Sequence, residues 1–111
     1  MKNKISNKRE YYAQKISDKF SVITVLKGYE TIITDGNKIY ICKDGDSSLA
    51  FAGSGDILAG LIGSFLAQGA KRIDSSLLGV SLHAYSATNS KLKRGLTANE
   101  LIDLIRKNLN Q

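Results

Sequence analysis

The sequence predicts an α/β fold built from one buried strand, a β-hairpin and about four helices. Three observations carry this expectation. Phe20 to Leu26 (FSVITVL) is a continuous apolar run rich in β-branched residues, which is how a strand covered on both faces reads. Asp35-Gly36-Asn37 stands between two short β-rich runs, a strong hairpin signal. Ala52-Gly53-Ser54-Gly55-Asp56 runs straight into an apolar helix, and two further helical stretches follow. The resulting order, α-β-ββ-α-α-α, is short of strands for a complete α/β sheet and looks like the second half of something larger.

Taken in order, Lys8 to Ser17 reads as a short amphipathic helix with Tyr12, Ala13 and Ile16 facing inward. The buried strand is expected over Phe20 to Leu26 and ends at Lys27-Gly28. In open α/β sheets ligands bind beyond the carboxyl ends of strands, so Lys27 is placed to reach a phosphate and Gly28 to allow a tight turn. A surface lysine beside a turn glycine would look the same. Thr31 to Thr34 and Lys38 to Cys42 form the hairpin, and Lys43 to Ser48 is a polar loop. Asp44 and Asp46 resemble part of a calcium loop whose other ligand positions are missing.

The next helix is expected over Asp56 to Gln68, with Ile57, Leu58, Leu61, Ile62, Phe65 and Leu66 as a wide inner stripe. Gly60 and Gly63 weaken that helix and are expected where another element packs closely; Gly69 is its stop. Asp74 or Ser75 opens the following helix, which runs to about Lys91 and turns Leu77, Leu78, Val80, Leu82, Ala84 and Tyr85 inward. His83 within it reads first as a satisfied structural histidine. Gly95 breaks the pattern. Thr97-Ala98-Asn99-Glu100 has capping-box spacing ahead of a last helix carrying Leu101, Ile102, Leu104, Ile105 and Leu109 inward.

Composition narrows the function. One domain at most fits in 111 residues. No apolar run is long enough to span a membrane, and no signal peptide is expected. A single cysteine, Cys42, leaves no internal disulfide, fits a cytoplasmic setting, and reads as a structural thiol; one Cys and one His are too few for a usual zinc site. The net charge is +6, with seven Lys or Arg in residues 1–28 and near balance beyond. No basic stripe is interleaved with aromatics, so nucleic acid is not the expected partner; a solvated face or attraction to an anionic small molecule accounts for the charge.

The glycine turn is the stretch with chemistry in it. Gly53 and Gly55 let a ligand approach the main chain, and the helix that follows offers unpaired N–H groups and a positive dipole end, a site for phosphate. A carboxylate at its mouth, Asp56, would be repelled by phosphate, so its presence suggests proton abstraction. The same residues also read as an ordinary helix start, with Ser54 as cap and Asp56 favourable in the first turn.

Leu26-Lys27-Gly28, then AGSGDILAGLIGSFLAQG (Ala52 to Gly69), then LLGVSLHAYSA (Leu77 to Ala87) resemble, in order and spacing, the ADP/ATP-dependent NAD(P)H-hydrate dehydratases of the ribokinase-like superfamily. GSGD alone indicates the superfamily; ILAGLIGSFLAQG and LGVSLHA point to the dehydratases. The resemblance runs from about Asn7 to Leu109 and covers the C-terminal part, somewhat under half, of the usual family domain. It implies a single partial ribokinase-like domain over residues 1–111, part of a three-layer fold, and a role in repairing nicotinamide cofactors. There a phosphoryl group from ADP or ATP, with Mg2+, passes to the hydrate hydroxyl and then leaves as phosphate. Carried over by position, Lys27, Gly28, Tyr29, Glu30 and Thr31 would line the nucleotide site, together with Gly55. The N–H groups of Gly53, Ser54, Gly55 and Asp56 would form the anion hole, and Asp56 would act as base on the hydrate.

Three departures accompany the resemblance. Phe51-Ala52 stands where the family has Thr-Gly, the preceding loop reads Asp44-Gly45-Asp46-Ser47-Ser48 instead of Asn, Pro and Gly, and the family's N-terminal region is absent. The last implies a partner: a separately encoded N-terminal half or a further copy of the chain. Two other functions remain open on these residues, a superfamily kinase for a small alcohol such as a vitamin precursor, and a non-catalytic fragment or assembly subunit.

Overall fold

A computed structural model describes residues 4–28, 30–43, 53–89 and 96–109. These residues form α1 (Lys4–Phe20), β1 (Thr24–Leu26), β2 (Thr31–Thr34), β3 (Ile39–Cys42), α2 (Ser54–Ala67), α3 (Arg72–Thr88) and α4 (Ala98–Leu109). They fall into two compact units, Met1–Lys43 and Asp44–Gln111. The expected elements are all present, α/β in class, and several of their details differ.

In the first unit, α1 packs on an antiparallel meander in the order β1-β2-β3. Thr24 pairs with Thr34 and Leu26 with Ile32; Thr31 pairs with Cys42 and Thr34 with Ile39. The expected strand over Phe20 to Leu26 is therefore corrected. Its first residue closes α1, Ser21 takes a left-handed φ of 53°, and Val22 N–H bonds back to Ser17 C=O at 3.2 Å. What remains as β1 is a half-buried, antiparallel edge strand. The covered strand is β2, where Ile32, Ile33 and Thr34 are buried.

The inner face of α1 is also corrected. Ala13 is buried, but Tyr12 is 57% and Ile16 46% exposed; Glu10 and Ser17 are the other inward residues. The helix lies close to the sheet through small and polar groups, which the search for an apolar stripe passes over. The Ser17 hydroxyl donates to Thr34 C=O at 3.1 Å and lies 2.7 Å from Thr24 Oγ1. The hairpin forms as expected. Gly36 has φ 100°, and Asp35 Oδ1 accepts the N–H groups of Asn37 and Lys38, each at 2.9 Å.

In the second unit, α2, α3 and α4 pack together. Ala87, Leu96, Leu101 and Ile105 form a core with Ile57, Leu61, Leu82 and Leu104 against it. The Schellman geometry at Gly69 (φ 96°) ends α2: Gly69 N–H bonds Leu66 C=O at 3.0 Å and Ala70 N–H bonds Phe65 C=O at 3.1 Å. The capping box closes as expected, with Thr97 N–H on Glu100 Oε1 at 2.9 Å and Glu100 N–H on Thr97 Oγ1 at 3.3 Å.

Four expectations about the helices fail. Gly60 and Gly63 are exposed, with nothing among the described residues within 4 Å of where a Cβ would stand. The close approach is at Gly79, where a Cβ would lie 2.5 Å from Ile62 Cγ1 and 3.5 Å from its Cα. The inner face of α3 is accordingly small and polar: Ser75, Ser76, Gly79, Val80, His83, Ala84, Ser86 and Ala87 are buried, while Leu78 is 53% exposed and Tyr85 is exposed too. Close helix–helix packing selects small side chains, so the large apolar ones lie on the flank. Leu66 on α2, and Ile102 and Leu109 on α4, are likewise exposed. Finally, α3 starts at Arg72, ahead of Asp74.

Candidate functional site

The glycine turn enters α2 through Gly53, whose φ of 91° and ψ of −8° are left-handed. Only glycine adopts this region without strain, and a Cβ there would meet nothing within 4 Å among the described residues. Among the described residues, the space beside the turn is open. The first helical bond runs from Ile57 N–H to Gly53 C=O at 3.0 Å, so the N–H groups of Ser54, Gly55 and Asp56 precede it. Among the described residues, no side-chain cap bond closes this helix start.

The expectation that Ser54 is the cap is corrected. Gly53 holds the cap position, and the Ser54 side chain is buried, facing α3. There Ser54 Oγ lies 3.3 Å and Ser54 C=O 3.0 Å from Nε2 of His83, itself only 6% exposed. A carbonyl oxygen only accepts, so the imidazole carries a proton on Nε2 and donates it. His83 is the satisfied buried histidine expected from the sequence. Asp56 is exposed in the first turn of α2, where the helix dipole favours its negative charge.

The strand-end segment belongs to the first unit. Lys27 and Gly28 follow β1 directly and are exposed; Glu30 is half-buried and Thr31 begins β2. Thr31 Oγ1 donates to Gly28 C=O at 3.3 Å, closing the loop. The guanidinium of Arg9 braces it from α1, with Nη1 donating to Glu30 C=O at 3.2 Å. Tyr29, Phe51, Ala52, the Asp44 to Ser48 loop and Gly95 lie outside the described residues.

Arg9 is the residue that reading the sequence missed. It stands on a helix with no motif around it, and only the fold brings it to the loop. Among the described residues, no group of three or more His, Cys, Asp or Glu could hold a metal ion. Nor is any helix among them long and apolar enough to cross a membrane.

A left-handed glycine turn, a helix start and an exposed aspartate stand together at the beginning of α2. The family model for NAD(P)H-hydrate dehydratase, of the carbohydrate-kinase type, matches residues 1–108. The chain belongs to this family. Among NAD(P)H-hydrate dehydratase relatives, the ADP-dependent (S)-NAD(P)H-hydrate dehydratase of Neisseria meningitidis is 40% identical over 86 residues, 77% of this chain and 29% of that protein. The bifunctional NAD(P)H-hydrate repair enzyme Nnr of Vibrio cholerae is 37% identical over 100 residues, 87% of this chain and 20% of that protein. The crystal structure of the ADP/ATP-dependent NAD(P)H-hydrate dehydratase from Bacillus subtilis, co-crystallized with ATP/Mg2+, matches with a TM-score of 0.84 and 28% identity, over 96% of this chain and 40% of that one. The ribokinase-like expectation for the fold holds on this match. The chain spans well under half the length of these relatives.

Proposed function

We propose that this chain provides the nucleotide and anion-hole portion of an ADP- or ATP-dependent NAD(P)H-hydrate dehydratase. The observation that carries the reading is the start of α2. A left-handed Gly53, a helix N-terminus with no capping side chain and open space beside it among the described residues, and an exposed Asp56 stand together in a chain of this family.

Asp56 takes the proton of the hydrate's ring hydroxyl. The oxygen attacks the terminal phosphorus, and the bond to the bridging oxygen breaks, releasing AMP from ADP or ADP from ATP. The N–H groups of Gly53, Ser54, Gly55 and Asp56 stabilise the charge that develops on the phosphoryl oxygens. Phosphate then departs with the carbon–oxygen electron pair, a proton leaves the adjacent ring carbon, and the ring double bond re-forms. Lys27, Gly28, Tyr29, Glu30, Thr31 and Gly55 hold the nucleotide. Mg2+ bound with the nucleotide would supply neutralisation of phosphate charge.

A complete hydrate pocket calls for the rest of the family domain. In this reading the rest of that domain would cover exposed apolar residues such as Leu78, Tyr85 and Leu109. The testing experiment is thermal unfolding with and without ADP or ATP and Mg2+, followed by turnover of NADH hydrate with Asp56→Asn as control. Nucleotide at ~100 times its dissociation constant should stabilise by about 2.7 kcal/mol. Asp56→Asn should keep the nucleotide response and lose turnover in an active assembly. Full activity in Asp56→Asn would remove Asp56 from the role of base. A phosphorylated product in place of free phosphate would indicate a kinase, and no nucleotide response would indicate a non-catalytic module.

A further inference from the structure

Two contacts fix α2 against α3. Gly79 receives Ile62, and four residues further along α3 His83 reaches Ser54. As numbers rise on α3 they fall on α2, so the helices run antiparallel, and Gly79 and His83 share one face. The Gly79–Ile62 approach sets how near the helices lie. The imidazole then spans the seam to the first residue of α2. Its Nε2–H is 3.0 Å from Ser54 C=O and 3.3 Å from Ser54 Oγ, and both residues are buried.

Ser54 follows the left-handed Gly53, where the chain has most freedom to pivot. Its peptide groups set the direction of the N–H groups of Ser54, Gly55 and Asp56. A buried donor on its carbonyl, anchored in another helix, fixes that direction before any ligand arrives. Fixed donors are what an anion hole requires, because reorientation during reaction would cost part of the stabilisation.

We propose that His83 is the positioning residue of the glycine turn: by donating Nε2–H to Ser54 C=O it holds the turn's N–H array in its anion-binding direction. The proposal rests on the reading of that turn as an anion hole. His83 acts through Ser54, toward which its Nε2–H points.

The test uses a substitution series read in two ways. Glutamine places a donor near the reach of Nε2, asparagine falls short at the level of Nδ1, and leucine has no donor. Amide hydrogen exchange is followed at Ile57 and Leu58 in the first turn of α2, with Val80 and Ala84 in α3 as internal references. Affinity for ADP with Mg2+ is measured on the same proteins. His83→Leu and His83→Asn should speed exchange at Ile57 and Leu58 on the order of fivefold to tenfold relative to the references, about what one lost neutral hydrogen bond allows. They should weaken ADP by a similar factor, and His83→Gln should restore both. Unchanged exchange in His83→Leu, equal acceleration at the reference amides, or failure of His83→Gln to restore would overturn the positioning role. If the unsubstituted chain does not bind ADP, the anion-hole reading fails by itself, and the exchange series still decides whether His83 fixes the turn.

Discussion

The guanidinium of Arg9 occupies the space that a side chain at Gly28 would take: its Nη2 stands 2.8 Å from where a Cβ would be. The same guanidinium donates through Nη1 to Glu30 C=O. The glycine after β1 therefore admits a cation from α1 beneath the loop read as the nucleotide site. A Cβ at Gly28 would displace the flexible end of Arg9, so Gly28→Ala should cost little stability, roughly 1 kcal/mol, the worth of the Arg9–Glu30 hydrogen bond. Arg9→Ala should cost a similar amount, and the double variant little more than either alone, because both remove one interaction. Denaturant titration of the four proteins gives the coupling. Full additivity would show that Gly28 does not act through Arg9.

The glycines of α2 and α3 should respond with opposite signs. Gly60→Ala and Gly63→Ala add a methyl group to exposed positions with open space and should stabilise by about 0.5–1 kcal/mol each through helix propensity. Gly79→Ala gains the same propensity but drives its Cβ into Ile62, a β-branched side chain with restricted rotamers. Overpacking of this kind costs about 1–3 kcal/mol, so the net effect should be destabilising. Thermal midpoints decide it: a rise for Gly60→Ala and Gly63→Ala, and a fall for Gly79→Ala that Ile62→Ala relieves.

These glycines also show where the sequence is legible. The hairpin, the Gly69 stop and the Thr97–Glu100 box are local devices whose partners lie within a few residues, so spacing alone reveals them. The glycine turn and Asp56 were legible for the same reason. What escaped depends on pairs distant in the chain. Gly79 meets Ile62, Arg9 meets Glu30, and Ser54 faces His83 instead of capping its own helix. Hydrophobicity misled where packing is closest: Ala13 and Ser17 of α1, and Ser76 and Gly79 of α3, face inward because larger side chains would hold the elements apart.

Asp35 should make the hairpin sensitive to acid. The backbone N–H of Lys38, then that of Asn37, holds its carboxylate below the ordinary range; desolvation opposes them, and its own backbone N–H and the Lys38 charge add smaller lowering effects. Because the folded value is lowered, the carboxylate's stabilising contribution is whole above the pKa of the unfolded chain and is lost as pH falls through the folded value. The stability difference between the unsubstituted chain and Asp35→Ala should therefore be constant near neutrality and shrink in acid below the usual carboxylate range. Denaturant midpoints across that range measure it, and a difference that stayed constant into acid would assign the effect of Asp35 to something other than its charge.

Gly53 separates backbone strain from ligand access. At φ 91° any L-residue is strained, with a cost of roughly 1–2 kcal/mol for alanine. Asparagine tolerates the left-handed region better, so Gly53→Asn should be the milder of the two in stability. In both variants the Cβ would meet nothing within 4 Å among the described residues. In the anion-hole reading that space is where the phosphoryl group must come. Both variants should then weaken ADP and inorganic phosphate, and Gly53→Asn should do so more than its small stability loss explains. Calorimetric titration beside thermal unfolding distinguishes the two effects. If the affinity loss merely followed the stability loss, the turn would need Gly53 for its shape and not for the approach of a ligand.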